Sequence, residues 1–129
     1  MKFYIASRFD KKPEVLELHK YLREKGHEIL VDWTWHKFVK PYDKNEELAG
    51  EYAANDINGA KDCDVFVVLS DDGGTGMYVE LGAAIASNLL RGKPKIYVIG
   101  EHPSRSMFYY HPSVTRKNNL GEVLDDVSS

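Results

Sequence analysis

Two acidic residues stand where the surrounding pattern calls for packing side chains. Glu80 interrupts MYVELGAAIA, and Asp56 shares a stripe with Ala49, Ala53 and Ala60, at the four, three and four residue spacings of one helical face. A carboxylate near a helix N-terminus, partly shielded from water, is a nucleophile. A second carboxyl flanking the same bond makes the pair that glycoside chemistry uses. Against this stand plainer roles: Glu80 as an acid favoured by the helix dipole, Asp56 as a polar residue facing solvent near a helix end. Tyr4, in the middle of FYIAS, either fills the core with its hydroxyl on any acceptor or sets that hydroxyl against Glu80.

Around these three lie candidates for holding a substrate. Ser7 and Arg8 follow the first apolar run and suit a sugar hydroxyl or a phosphate. Trp33 and Trp35 are expected at the end of a second strand, one in the core and the other a flat surface for a base. In DDGGTGM, Asp71 and Asp72 suit the hydroxyl end of a bound sugar, and Gly74 and Gly76 let a ligand approach the backbone at a helix start. The segment is not a phosphate-binding loop of the GK[ST] type, which is absent. It is not a dinucleotide fingerprint either, because Val79 stands where GxGxxG needs glycine.

The elements that must position these residues read clearly. KFYIAS is a strand, PEVLELHKYLREKG a helix with Val15, Leu18, Tyr21 and Leu22 on one stripe, and HEILVDWTW a second strand. EELAGEYAANDINGAK is helical, and DVFVVLS is apolar throughout, as a strand covered on both faces must be. MYVELGAAIASNLLRG is a third helix and KIYVIG a fourth strand. A short fifth strand near residues 113–116 and a helix from about Leu120 close the chain. The alternation predicts an α/β doubly wound, flavodoxin- or Rossmann-like parallel sheet of four to five strands with helices on both faces, and one domain over residues 1–129. Ligands of such sheets lie beyond the carboxyl ends of the strands, where ASRFD, DWTWH, SDDGGTGMYVE and GEHPS converge.

Composition removes several classes. Lys and Arg number 17 against 20 Asp and Glu, the net charge is −3, and the basic residues are scattered, so no nucleic-acid footprint is present. The five histidines lack metal-ligand spacing, no apolar run reaches membrane-spanning length, and MKFYIASRF is no signal peptide. The expectation is a cytoplasmic protein with a small-molecule partner and neither metal nor cofactor.

With FYIAS, NDINGAKDCDVFVV and GTGMYVELGAAIA in this order over residues 3–99, the sequence resembles the nucleoside 2-deoxyribosyltransferase family, which includes 2′-deoxynucleoside 5′-monophosphate N-hydrolases. The resemblance implies Glu80 as nucleophile on the anomeric carbon, Asp56 assisting at the nucleobase and Tyr4 orienting Glu80. It implies transfer of the deoxyribosyl group of a nucleoside to another free nucleobase through a covalent glutamyl intermediate, with hydrolysis of a nucleotide as the alternative. It also implies a homo-oligomer, for which the aromatic segment MFYYHPS is suited as an interface or as a lid over the base. GGTGMYVE is similar, too, to the GGxGTxxE motif of cytokinin-type phosphoribohydrolases, with Met77 in place of threonine. A non-catalytic nucleotide-binding module on the same fold is the reading of a different class.

Overall fold

The computed structural model describes residues 1–129. Five strands, β1 (Lys2–Ala6), β2 (Glu28–Ile29), β3 (Val65–Leu69), β4 (Lys95–Ile99) and β5 (Val114–Arg116), form one parallel sheet in the order β2-β1-β3-β4-β5. The connecting helices are α1 (Lys12–Glu24), α2 (Glu46–Asp62) and α3 (Gly76–Arg91), and α4 (Leu120–Ser128) closes the chain. This is the doubly wound architecture expected from the alternating pattern. Strand order reverses between β1 and β3, so a crevice opens at their carboxyl ends.

The core explains the register. Every residue of β3 is buried, and Tyr4 of β1 pairs with Phe66 of β3 while their rings stack at 6.0 Å. Successive side chains of a strand point to opposite faces, so Tyr4 leaves the sheet on the opposite side from Phe3 and Ile5. On Tyr4's side α2 and α3 pack against one another. On the other side α1 and α4 flank a shared groove, lined by Tyr21 of the first and Leu124 of the second. Tyr97 of β4 ties α4 to the sheet through its hydroxyl on Asp126. No helix is long and apolar enough to cross a membrane.

The second strand is shorter than its apolar content suggests. It ends at Ile29, and the chain then turns at Asp32, whose carboxylate accepts a 3.0 Å hydrogen bond from the Thr34 amide and caps a single 3-10 turn, Trp33–Trp35. The local side-chain bond outcompetes the sheet ladder, as short acidic side chains do. Trp33 and Trp35 therefore sit on a turn and not on a strand, yet they do divide their work. Trp33 is buried with its indole N–H donating to the Ile5 carbonyl at 2.6 Å, while Trp35 is exposed. In α1 the buried stripe is Val15, His19 and Leu22, and Tyr21, expected on it, faces solvent.

Candidate active site

At the β1/β3 crevice lies a cleft of about 790 Å³ lined by residues from the loops that follow β1 and β3, from α2 and α3, and from the segment 33–42. Glu80 enters from α3 and Asp56 from α2, and Tyr4 reaches Glu80 from beneath. Tyr4 Oη donates a 3.1 Å hydrogen bond to Glu80 Oε1. Strand β1 and helix α3, distant in sequence, thus meet at one carboxylate, and Asp56 of α2 lines the same cleft.

The local reasons are specific. Helix α3 begins at Gly76, so Glu80 lies in its second turn and is no N-terminal cap. Its flank differs from expectation at Val79, which is exposed on the cleft rim, whereas Leu81 packs into the core. Tyr4 is fully buried because Gly59 of α2 has no side chain. A Cβ there would stand 2.6 Å from Tyr4 Cδ2 and 3.0 Å from Val31 Cβ. Ala49, Ala53, Asp56 and Ile57 face the cleft from α2, and Ala60 continues the same stripe into the core.

Burial dominates the electrostatics. It pushes Glu80 up to about 8, with the charge of Asp56 acting in the same direction and the Tyr4 hydrogen bond against it. Asp56 is raised to about 6, chiefly by loss of solvent, with the nearby Tyr4 hydroxyl pulling the other way. Tyr4 is held far above its ordinary value by burial and by the two nearby carboxylates, so its hydroxyl stays a donor. That single proton goes to Glu80. The pair Asp56 and Glu80 consequently retains one proton around neutral pH, held on Glu80 while Asp56 is ionised.

The remaining candidates divide. Ser7, Arg8, Trp33, Gly74 and Gly76 all line the cleft; Asp71 and Asp72 do not. Asp71 is buried, and its Oδ1 accepts from the Gly73 amide at 3.2 Å and from Arg8 Nη1 at 3.4 Å; against burial, the neighbouring Asp72 first and then these two bonds hold it below the usual carboxylate range. Asp72 is exposed, 3.9 Å from the same guanidinium. The two aspartates, expected at the sugar, instead anchor Arg8, because parallel pairing of β1 with β3 puts the two loops side by side. The glycines follow suit. A Cβ on Gly74, whose φ is +88°, would meet Arg8 Cγ at 2.5 Å, so the space left by this glycine is filled by arginine; beside Gly76 it is open. Ser7 donates to the Arg8 carbonyl at 2.8 Å. Arg8 also pairs with Asp10 at 2.9 Å.

His36 escaped the sequence reading. It lines the cleft beside Asp56, stacked on Tyr52 with ring centroids 3.8 Å apart. Its sequence neighbours, two tryptophans and a lysine, carry no signal of that pairing. The segment around Tyr109 lies elsewhere: none of residues 107–113 lines the cleft of their own chain. Tyr109 is buried against Tyr78, and Tyr110 lies under the Arg116 guanidinium at 4.2 Å.

No known family profile matches the chain, and no curated protein matches it. Among solved structures, the fold is similar to that of a CMP N-glycosidase from Clostridium botulinum, at 22% identity and a TM-score of 0.56, over 99% of this chain and 98% of that one.

Proposed function

We propose that the protein cleaves the N-glycosidic bond of a nucleoside 5′-monophosphate, with Glu80 as nucleophile and Asp56 as general acid. The observation that carries this is the convergence of two proton-retaining carboxyls and the Tyr4 hydroxyl in one cleft. In the reactive form the pair's one proton has moved from Glu80 to Asp56, and Glu80 attacks the anomeric carbon through Oε2, the oxygen Tyr4 leaves free. The carbon–nitrogen bond breaks with its electron pair going to the base, and Asp56 supplies the proton. Water then attacks the sugar ester from the face the base left, returns its proton to Asp56 and frees Glu80, with net retention.

A phosphate finds its partner in Arg8, which lines the cleft at the end of β1 near the uncapped N-terminus of α3. Asp10 and Asp72 are solvent-exposed and exchange for a phosphate at little cost, while buried Asp71 keeps the guanidinium in place. Likeness in fold to a CMP N-glycosidase supports the choice of nucleotide over nucleoside. The same ester is chemically competent to pass its sugar to a second nucleobase, which is the transferase reading. Self-association belongs to the proposal too, with Val79, Leu89 and Leu90 exposed on α3 as its contact face.

Incubation with CMP, dCMP and dGMP, beside the matching nucleosides and with or without added adenine, separates these reactions by chromatography. Free base from nucleotides is expected, with only weak release from the matching nucleosides. New nucleosides on adding adenine would establish the transferase instead, and no reaction in any arm, with ligand-induced thermal stabilisation, would leave a binding module. Light scattering of the purified protein reads its oligomeric state.

A further inference from the structure

His36 has an unusual set of neighbours. Its side chain is 6% exposed, clamped against Tyr52 with an interplanar angle of 2°, and meets Trp35 edge-on. Tyr52 is itself fixed, since its hydroxyl accepts from the Lys37 amide at 3.0 Å. His36 Nδ1 stands 3.9 Å from Asp56 Oδ1, too far for a hydrogen bond. Asp56 Oδ1 is buried and has no partner, and neither has His36 Nε2. Leaving buried polar atoms unpaired is expensive, and the expense falls beside the proposed acid.

A protonated carboxyl tolerates such a gap; a carboxylate does not. We propose that His36 is a positioning residue that acts through Asp56, turning its Nδ1–H onto Oδ1 in the step where Asp56 gives its proton to the departing base. This rests on the glycosidic-cleavage reading above. The motion is small: closing 3.9 Å to hydrogen-bond length needs a slide of about 1 Å along the Tyr52 ring. No proton passes to histidine. The O–H proton of Asp56 ends on the base, and the neutral imidazole only donates its existing N–H, as one tautomer allows. When water later attacks the sugar, its proton returns to Asp56 and His36 swings back.

Neutrality of the ring is secured by its setting. Burial keeps His36 below its ordinary value, against the weaker opposite pull of Asp32 and Glu51. The groups facing the assembly are Glu51, Tyr52 and Asp56 on α2, Asp32 before the Trp33–Trp35 turn, Tyr4 on β1 and Glu80 on α3.

Two variants separate this role from mere packing. His36→Phe keeps the stack on Tyr52 and removes the donor; His36→Asn restores an N–H near the Nδ1 position. The substrates are a nucleotide that the wild-type protein cleaves and 7-methylguanosine 5′-monophosphate, whose cationic base departs without protonation. His36→Phe is expected to lower kcat about tenfold on the first and to stay within about twofold on the second, and His36→Asn to recover most of the loss. Equal losses on both substrates would overturn the proposal. A second readout needs no turnover: the carboxyl titration of Asp56, followed by NMR, shifts upward by about half a unit or more in His36→Phe. An unchanged titration refutes the contact. If the wild-type protein releases no base at all, the glycosidase reading fails, while the titration still decides whether His36 acts on Asp56.

Discussion

The Tyr4 hydroxyl and Glu80 Oε1, 76 positions apart in sequence, are joined by a 3.1 Å hydrogen bond between the sheet and the helix above it. The bond fixes which oxygen of Glu80 is spoken for. It also opposes the burial that drives Glu80 toward its protonated form.

Tyr4→Phe removes that bond without changing the ring that packs on Phe66. A hydrogen bond to an ionised group is worth about 1.5–3 kcal/mol. Base release should therefore fall by roughly 10- to 100-fold, with thermal stability nearly unchanged and the Glu80 titration moved further up. Wild-type turnover in the variant would remove Tyr4 from the mechanism.

Stability carries a pH signature from the same pair. Glu80 and Asp56 have folded-state values near 8 and 6, above their ordinary 4.5 and 3.8, so the folded protein binds more protons than the unfolded chain between those limits. The contribution of both groups is complete in acid and is lost as pH rises through their folded values. Glu80→Gln should abolish turnover and free the protein from most of this loss. Relative to wild type it should be more stable at pH 9 than at pH 5, by roughly 2–5 kcal/mol in denaturant unfolding. The same difference at both pH values would show that Glu80 titrates normally.

Gly59→Ala tests the packing beneath the site. Alanine in a helix interior ordinarily gains about 0.5–1 kcal/mol over glycine. At this position the new methyl would stand 2.6 Å from the Tyr4 ring, and overpacking of that kind costs about 1–3 kcal/mol. Net destabilisation and a loss of activity at least as large as that of Tyr4→Phe are expected. Gly50→Ala on the same helix, with nothing within 4 Å of the new methyl, should gain stability and keep activity. Equal gains in both variants would mean that Tyr4 moves aside freely.

Arg8→Ala should raise KM for a nucleotide by about 10- to 100-fold and leave the weak cleavage of the matching nucleoside little changed. Asp71→Asn should act in the same direction more mildly, by loosening Arg8. A uniform fall on nucleotide and nucleoside alike would show that Arg8 supports the loop and does not read phosphate.

Most of the scaffold was legible because its signals are local. DVFVVLS can only be a covered strand, and the four-three-four spacing through Asp56 marks one helical face whatever packs upon it. The second strand was misjudged because Asp32 ends it with its own side chain, a choice that apolar content does not reveal. The acids of the site were visible as interruptions in packing patterns. What stayed hidden depends on contacts between loops: Asp71 and Asp72 look like ligand-facing acids until β1 and β3 are laid side by side and Arg8 falls between them. His36 was hidden for the same reason, since its partners Tyr52 and Asp56 belong to a helix it meets only in three dimensions.

Glu80 and Asp56 ride on two neighbouring helices, α3 and α2, and the charge of one raises the proton affinity of the other. The site therefore works as a strain gauge for its own scaffold. Whatever prises the two helices apart, whether a bulky ligand or a partner leaning on Leu89 and Leu90, lowers the pH at which Glu80 ionises. A titration curve then reads how tightly the two helices close over their carboxyls.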